Sequence, residues 1–386
     1  MADRPSGGTT AVLVGLDFGD PGFDESLDEL KLLAASAGIR TLAVIGGRRN
    51  RPDPALFAGS GKVEEIRQRL QESKARLAVF NHALSPAQER NLEKALGCRV
   101  VDRTSLIIDI FAQRAQSHEG KVQVELAQLE HAATRLVRGW THLERQRGGR
   151  GFLGGMGETQ LEVDRRLIAS RVKTLKDELG KLKRRREVQR RARSRGRVLS
   201  ISIVGYTNAG KSTLFNCLTR AGVVTEDRLF ATLDTTTRRV YLPGAGQVVI
   251  SDTVGFIRDL PHSLIAAFRA TLEETIHADL LLHVVDASSR ARETQIEQVG
   301  KVLAEIGANA IPQVLVWNKI DKTDGVEPGI DRDEYGRICR VRLSAKSGHG
   351  VDALRQALIE TAASRHSPAS SPISADSQEL DQTAST

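Results

Sequence analysis

Residues 198–218, VLSISIVGYTNAGKSTLFNCL, form a pattern of apolar strand, glycine-containing loop and helix. The loop matches GxxxxGKS from Gly205 to Ser212, in the strand–loop–helix context that gives this motif its specificity. Glycines let backbone N–H groups surround phosphate oxygens at a helix N-terminus, where the helix dipole favours anions. We therefore expect a phosphate-binding loop in which Lys211 contacts the β- and γ-phosphates and the Ser212 hydroxyl binds Mg²⁺.

Two further segments at strand ends indicate which nucleotide is bound. VVISDTVGF (248–256) ends in DxxG, so that Asp252 would hold Mg²⁺ through water and the Gly255 N–H would meet the γ-phosphate. QVLVWNKID (313–321) ends in NKxD. The Asp321 carboxylate would accept hydrogen bonds from N1–H and N2–H of guanine, a pair of donors that adenine lacks.

Residues around the base strengthen this prediction. Asn318 and Lys319 are expected to brace the base and the phosphate loop. RLSAKSG (342–348) supplies a last strand and a turn over the base, Ser344–Lys346. Four motifs in the expected order, each at a strand end, predict GTP as the ligand of a Ras-like domain at 198–363.

The first part of the chain alternates strand-like and helix-like patterns, which favours a small parallel α/β domain at 10–115 after a flexible start at 1–9. The strand-like runs are 11–17, 41–47, 75–81 and 98–102, and helical segments are expected at 27–37, 62–72 and 86–96. Within this domain GSGK (59–62) opens a helix. We interpret it as a helix start, with phosphate binding as the alternative, because the second half of a phosphate motif is absent.

Two stretches with heptad-like spacing flank a glycine-rich segment. Their apolar positions are Val122, Leu126, Leu129, Ala133 and Leu136, then Ile168, Val172, Leu175, Leu179 and Leu182. This spacing predicts an antiparallel helical hairpin at 116–197. Its glycine-rich tip (138–160) also carries Arg138, Arg145, Arg147, Arg150, Trp140 and Phe152. Arginine with aromatic residues suits contact with RNA, and a flexible basic linker is the alternative.

Positive charge is concentrated on the second arm of the hairpin. Residues 165–197 carry fifteen Lys and Arg against three acidic residues, a local net charge of +12 in a chain whose total is +8. Charge this dense indicates a polyanionic partner, of which nucleic acid is the commonest. The alternative is a solvated helix face.

Composition excludes several other classes of protein. Hydrophobic residues make up 40% of the chain and charged residues 27%, as in ordinary globular proteins. Cys98, Cys217 and Cys339 show no CxxC spacing and indicate free thiols in a reducing compartment. No signal-peptide pattern or membrane-length apolar run is visible. We expect a cytoplasmic monomer without a membrane span, with association to ribosomes and to the membrane periphery left open.

Several longer segments resemble the HflX family of GTPases, in the Obg–HflX superfamily of translation-factor-related P-loop GTPases. They are DRTSLIIDIFAQRA (102–115), GKVQVELAQLEH (120–131), RLVRGWTHLERQ (135–146), GETQLEVDRR (157–166) and RLFATLD (228–234). The resemblance implies that the N-terminal part and hairpin dock on the large (50S) ribosomal subunit and its rRNA under the control of GTP. It further implies a role in ribosome splitting or rescue, or in subunit biogenesis.

The resemblance also implies the residues of the effector loop. Within FATLD (230–234), Thr232 is expected on Mg²⁺ when GTP is bound, with Thr235, Thr236 and Thr237 as alternatives. Lys211, Thr232 and Gly255 are the expected catalytic residues, and Ser212 and Thr232 the expected Mg²⁺ ligands. The expected nucleotide-binding residues are Gly205, Tyr206, Thr207, Asn208, Ala209, Gly210, Lys211, Ser212, Phe230, Ala231, Thr232, Leu233, Asp234, Asp252, Thr253, Val254, Gly255, Asn318, Lys319, Ile320, Asp321, Ser344, Ala345 and Lys346.

Phe256 follows DxxG, where many GTPases have a glutamine that orients the attacking water. A phenyl ring has no hydrogen-bonding group for water, so we expect hydrolysis to be slow without a partner. The leading hypothesis is a GTP hydrolase coupled to the large ribosomal subunit. The alternatives are a GTP-sensing RNA-binding protein with incidental hydrolysis, and an RNA-dependent ATPase or helicase that uses GSGK (59–62).

The end of the chain differs from the rest. Residues 364–386 are polar, rich in Ser and Ala, and lack a hydrophobic period, which predicts a disordered tail. Some relatives carry a folded domain after the GTPase. Because the tail shows no such pattern, we do not expect a ribosome contact through a domain of that kind.

Overall fold

The computed structural model describes residues 8–20, 22–139, 160–194, 198–222, 229–261, 264 and 269–366. The strands are β1 (Thr10–Asp17), β2 (Arg40–Arg48), β3 (Leu77–Phe80), β4 (Arg99–Asp102), β5 (Leu199–Gly205), β6 (Thr236–Leu242), β7 (Gly246–Asp252), β8 (Leu280–Asp286), β9 (Gln313–Asn318), β10 (Gly329–Arg332) and β11 (Ile338–Arg342). The α-helices are α1 (Phe23–Ser36), α2 (Ser60–Ser73), α3 (Pro86–Leu96), α4 (Arg103–Arg114), α5 (His118–Gly139), α6 (Gln160–Ser194), α7 (Lys211–Thr219), α8 (Arg269–Ile276), α9 (Arg292–Glu305) and α10 (Val351–His366).

The N-terminal strands form a parallel sheet in the order β2-β1-β3-β4. This confirms the predicted parallel α/β class, with strand ends that differ from the expected ones by one or two residues. The short strands β3 and β4 are buried almost throughout, as expected when helices cover both faces of a parallel sheet. Asp102 ends β4 and caps α4, because its carboxylate accepts a hydrogen bond from Ser105 N at 2.8 Å.

Helices α5 and α6 pack against each other along the predicted apolar seam. Their contacts run in opposite directions, since His118 pairs with Glu178 and Glu125 pairs with Arg171, each at 2.7 Å. The seam consists of Val122, Leu126 and Leu175, which are buried, and Leu129, Val172 and Leu179, which pack against them. The antiparallel hairpin is therefore confirmed. Residues 140–159 of the predicted tip (138–160), together with the side chains of Leu136 and Arg138, lie outside the described residues.

The second sheet has seven strands in the order β10-β11-β9-β8-β5-β7-β6. β5, which leads into the phosphate loop, lies between β7 and β8 and is parallel to both. The edge strand β6 is antiparallel to β7, and β10 is antiparallel to β11. This mixed sheet with helices on its faces is the expected Ras-like architecture, and it brings the ends of β5, β7 and β9 to one edge.

A single apolar cluster joins the two sheets. Leu33 and Phe111 from the N-terminal helices pack in the same cluster as Phe230 and Phe256 from the second sheet's loops. The rings of Phe111 and Phe230 meet edge to face, with centroids 4.6 Å apart. The predicted N-terminal domain is therefore packed directly on the segments that surround the predicted nucleotide site. In the described stretches, no helix combines the length and apolarity needed to cross a bilayer.

Candidate GTP-binding and hydrolysis site

The phosphate loop runs from the end of β5 to the start of α7. Gly205 has a φ of +147° and Gly210 a φ of +93°, in a region that favours glycine. A Cβ atom on Gly205 would also overlap the Val284 carbonyl oxygen, and one on Gly210 would overlap the Asn318 side-chain amide. The loop therefore needs glycine at both positions to keep its backbone close to its neighbours.

Lys211 lies inside this loop and is only 6% exposed. Its Nζ donates a hydrogen bond to the Tyr206 carbonyl oxygen at 2.8 Å. Burial lowers the pKa of Lys211 to about 8, an effect that the nearby Asp252 carboxylate opposes. Because burial disfavours the charged form of Lys211, a bound polyanion would stabilise the ammonium by supplying a counter-charge.

Three oxygen-bearing side chains converge next to Lys211. The Ser212 hydroxyl lies 2.7 Å from the Thr232 hydroxyl, and both donate to Oδ2 of Asp252, at 2.7 and 3.1 Å. Asp252 is completely buried, and this burial raises the pKa of its carboxyl. Its Oδ1 has no hydrogen-bond partner among the described residues. The three residues come from the phosphate loop, the effector loop and DxxG, and the sequence had selected each of them.

A small cavity opens beside this cluster. Its lining residues include Thr207, Asn208, Lys211, Ala231, Thr253 and Gly255. Thr213 also lines the cavity and was missed, although it directly follows the motif serine. The Thr207 hydroxyl is buried and has no partner in the described part of the chain. Leu233 and Asp234 do not line the cavity: Leu233 is buried in the apolar cluster, and the Asp234 carboxylate binds residues 116 and 117.

The DxxG segment lies directly against the phosphate loop. Phe256 N donates to the Gly205 carbonyl oxygen at 3.1 Å, and Thr207 N donates to the Phe256 carbonyl oxygen at 2.7 Å. The Phe256 side chain is completely buried in the apolar cluster. A Cβ atom on Gly255 would come within 2.9 Å of Lys211 Nζ, so this glycine permits the close approach. The residue after DxxG therefore anchors the segment by packing, and its side chain does not face the cavity.

The predicted base-binding residues form a second, adjoining group. Asn318 connects two loops, because its Nδ2 donates to the Ala209 carbonyl oxygen at 2.8 Å and its Oδ1 accepts from Ala345 N at 2.9 Å. Lys319 Nζ donates to the Asn208 carbonyl oxygen at 2.7 Å and pairs with Asp286 at 2.8 Å. Asp286 was missed, although it ends the apolar strand β8 at the same sheet edge.

Asp321 is exposed at the mouth of this group. Its carboxylate accepts a hydrogen bond from the Ser344 hydroxyl at 2.5 Å, and this bond lowers the pKa of the carboxyl. Ala345 is buried and Lys346 is exposed. Ile320 and Val254, also in the predicted set, are buried. The carboxylate is thus ionised and accessible, as an acceptor for two guanine N–H groups must be.

The other loop considered for phosphate, GSGK (59–62), begins α2 as expected. Lys62 Nζ donates to the Gly46 carbonyl oxygen at 3.0 Å and pairs with Glu65 at 2.7 Å. The structure therefore uses this lysine within the N-terminal part, at a helix start.

Contacts from the N-terminal part reach the phosphate loop and the segment after DxxG, and no motif predicted them. The Tyr206 hydroxyl donates to Glu29 at 2.6 Å and accepts from Arg258 N at 2.7 Å. Glu29 in turn pairs with Arg103 at 2.7 Å, and Arg258 pairs with Asp20 at 2.8 Å. These residues are far apart in the chain, so no local pattern could join them.

A buried phosphate-loop lysine, the hydroxyl–carboxylate cluster and an NKxD loop on a Ras-like sheet define a P-loop GTPase. Comparisons with known proteins agree. The family model "GTP-binding GTPase N-terminal" matches residues 24–112, "GTP-binding GTPase Middle Region" matches 114–193, and "50S ribosome-binding GTPase" matches 200–319.

Two relatives are similar over most of their length. GTPase HflX of Escherichia coli (strain K12) is 55% identical over 360 residues, which are 93% of this chain and 84% of that protein. GTPase HflX of Magnetococcus marinus is 52% identical over 85% of this chain and 76% of that protein. The crystal structure of the SsGBP and GDP complex shares the fold, with a TM-score of 0.51 and 24% identity over 92% of this chain and 99% of that one. The chain belongs to the HflX family of GTPases.

Proposed function

We propose that this GTPase hydrolyses Mg²⁺-bound GTP at the cavity beside Lys211, and that the large ribosomal subunit stimulates the reaction. The observation that supports the site is the convergence of the Ser212 and Thr232 hydroxyls on one oxygen of buried Asp252. The same convergence supports Thr232, rather than one of the three threonines that follow it, as the residue that responds to GTP.

The cluster fits a magnesium ion by its donor set. Hydroxyl and carboxylate oxygens are the ligands that Mg²⁺ prefers, and it commonly keeps several waters. The unpartnered Oδ1 of Asp252 is a buried acceptor that a metal-bound water would satisfy. Ser212 and Thr232 would ligate the ion, and Asp252 would hold it through water. When bound, Mg²⁺ would offset negative charge on the β- and γ-phosphates.

The surrounding residues position and stabilise the transferring phosphoryl group. Backbone N–H groups at the start of α7 and the Lys211 ammonium would bind the phosphates, because the first N–H groups of a helix lack partners within it and Lys211 lines the cavity. The Gly255 N–H would contact the γ-phosphate from the other side. Because the Phe256 side chain is buried, no group at that position orients the attacking water, and we expect turnover without a partner to be far below the ~10 s⁻¹ of a median enzyme.

Guanine recognition would rest on the second group of residues. The exposed Asp321 carboxylate would accept two hydrogen bonds from the base, while Ser344 keeps that carboxylate oriented. Asn318 and Lys319 would fix the base loop against the phosphate loop through their bonds to Ala209 and Asn208. The turn Ser344–Lys346 would cover the base.

The ribosomal partner is supported by the matching "50S ribosome-binding GTPase" model and by the charge of α6. Part of that charge is structural, because Arg171, Lys176 and Arg186 pair with acidic residues of α5. Others are exposed, among them Arg165, Lys173, Lys181 and Arg185. These exposed cations and the glycine–arginine tip would contact rRNA phosphates.

We expect the three parts of the chain, at residues 10–115, 116–197 and 198–363, to have separate roles. The first two parts would engage the ribosome while the third hydrolyses GTP, in ribosome splitting or rescue or in subunit biogenesis. The protein would act in the cytoplasm as a monomer. Burial of Phe256 favours one second candidate, an RNA-binding protein that senses GTP and hydrolyses it only incidentally.

Turnover of GTP by the purified protein, with and without large ribosomal subunits at near-physiological salt, distinguishes the two candidates. We expect low turnover alone and strong stimulation by the subunits, which deletion of residues 147–157 weakens. Full activity without the subunits would contradict the role given to Phe256. Binding to the subunits without stimulation would favour the GTP-sensing RNA binder.

A further inference from the structure

The end of the effector loop is bound to the first helix of the hairpin. Oδ2 of Asp234 accepts hydrogen bonds from Gln116 N at 3.0 Å and Ser117 N at 2.8 Å, and Oδ1 accepts from the Ser117 hydroxyl at 2.5 Å. Because α5 begins at His118, these donors stand directly before the helix, whose first N–H groups lack partners within it. A carboxylate is also favoured there by the helix dipole.

This contact continues into the helix through one hydroxyl. Ser117 accepts a hydrogen bond from Gly120 N at 2.9 Å while it donates to Asp234, so that the carboxylate is the end of a two-bond chain from the first turn of α5. Gly120 makes the close approach possible, because a Cβ atom there would overlap Oδ1 of Asp234. The start of the hairpin is thus shaped around a side chain of the effector loop.

Two residues before Asp234, the same segment contributes Thr232 to the cluster with Ser212 and Asp252. Thr232 contacts Ser212 and Asp252, and Leu233, between Thr232 and Asp234, is buried. The other end of the segment is also held by the N-terminal part, because Leu229 N donates to the Ser36 hydroxyl at 3.0 Å. A short segment fixed at both ends leaves Thr232 little freedom to leave the cluster while these contacts last.

We propose that Asp234 is a positioning residue for GTP binding and hydrolysis, which couples the effector loop to the hairpin by capping α5. The inference rests on the proposed function, since it assumes that Thr232 serves the magnesium ion of bound GTP. A partner that stabilises the contact between Asp234 and the start of α5 also stabilises the effector loop with Thr232 beside Ser212 and Asp252. Such a partner therefore favours the binding of GTP over that of GDP. By linkage, GTP stabilises the capped position of the hairpin by the same factor.

The test compares nucleotide affinities of the full-length protein with Mg²⁺, using a non-hydrolysable GTP analogue and GDP. In Asp234→Ala we expect affinity for the analogue to fall about tenfold, within the ~5–150-fold range of such couplings, and affinity for GDP to change less than about twofold. Asp234→Asn should retain most of the affinity for the analogue, because its amide oxygen can still accept hydrogen bonds from Gln116 N and Ser117 N.

A second variant leaves the effector loop unchanged. Gly120→Ala should favour the helix itself, since alanine is the better helix former, yet displace Asp234 and lower the analogue-to-GDP affinity ratio as Asp234→Ala does. Gly180→Ala, in α6, is the matched control, because a Cβ atom there meets nothing within 4 Å. We expect it to leave both affinities unchanged.

An unchanged affinity ratio in both Asp234→Ala and Gly120→Ala would overturn the coupling. Equal losses for the analogue and GDP would also overturn it, because they would show a purely structural cap. A different result would contradict the proposed function itself. In that case, the affinity for the GTP analogue would change neither when Mg²⁺ is omitted from the wild-type protein nor in Ser212→Ala.

Discussion

Two glycine-containing loops in this chain open helices and carry a lysine, but the two lysines have different surroundings. Gly59 at the start of α2 and Gly210 at the start of α7 both have positive φ, +78° and +93°. The side chain of Lys62 is 24% exposed and bound to a carbonyl and a glutamate of its own domain. Lys211 is 6% exposed and faces a cavity next to Asp252.

The two loops differ in the side chains that the fold brings next to each lysine. Beside Lys211 and the adjacent Ser212, the fold places Thr232 and Asp252, which follow the serine by 20 and 40 residues in the chain. Around Lys62 the ammonium is already neutralised by Glu65, one helical turn away.

Replacement of the phosphate-loop lysine should have the largest effect. Lys211→Ala removes the charge that we propose contacts the β- and γ-phosphates, and we expect kcat/KM for GTP to fall by about 100-fold or more. Steady-state phosphate release measures this. A loss below about threefold would show that the cavity beside Lys211 is not where GTP reacts.

In the nucleotide-free protein, the free energy of unfolding should depend on pH because the pKa of the buried Lys211 is lowered. Burial lowers the pKa of Lys211 from 10.5 to about 8, so the unfolded chain binds more protons between these values and the free energy of unfolding rises with pH there. Below pH 8 the full penalty applies. Lys211→Met should therefore be more stable than wild type at pH 7, by at most about 3 kcal/mol.

Denaturant unfolding at several pH values measures that difference, which should shrink as pH rises from 8 towards 10. A constant difference across this interval would mean that the lysine is charged in the folded protein throughout. Bound nucleotide should remove the effect, because the phosphates supply the missing counter-charge.

The two helix-starting glycines form a matched pair. Gly210→Ala places a methyl group against the Asn318 amide and should weaken GTP binding by about tenfold or more, at a strained φ. Gly59→Ala is also strained, because Gly59 has a φ of +78° and a ψ of 158° and its Cβ would meet Arg49, and it should lower stability by about 1–3 kcal/mol without changing nucleotide affinity. Equilibrium binding of labelled GTP and thermal unfolding separate these outcomes, and weaker GTP binding in Gly59→Ala would break the contrast.

Lys62→Ala should have the smallest effect. Its ion pair with Glu65 is partly exposed, and such pairs contribute about 0–1 kcal/mol. We expect GTP and ATP hydrolysis to match wild type. ATP turnover that disappears in this variant would instead support an ATP site in the N-terminal part.

Much of the fold and site follows from local patterns in the sequence. The heptad spacing of Val122 to Leu182 predicted the hairpin, and GxxxxGKS with its strand predicted where the lysine and serine would lie. What the sequence did not predict depends on contacts between distant segments. Asp234 was expected at the nucleotide, but its partner Ser117 is 117 residues away in the chain.

The direction in which a side chain points could not be predicted from the sequence either. Phe256 was known to lack a polar group, but only the packed structure shows that its ring serves the shared apolar cluster. The network from Tyr206 to Glu29 and Arg258 has the same origin, because charged residues on a helix and a loop carry no signal of a partner in another domain. The domain boundaries and the role of the tip stay predictions.

The most direct measurement compares kcat/KM for GTP and xanthosine triphosphate in wild type and Asp321→Asn. The asparagine amide can donate to the carbonyl oxygen that xanthine carries in place of the guanine amino group, and it no longer accepts both guanine N–H groups. We predict at least about a 100-fold loss with GTP and a preference for xanthosine triphosphate. Unchanged use of GTP would contradict the assignment of the guanine site, and with it the place of hydrolysis.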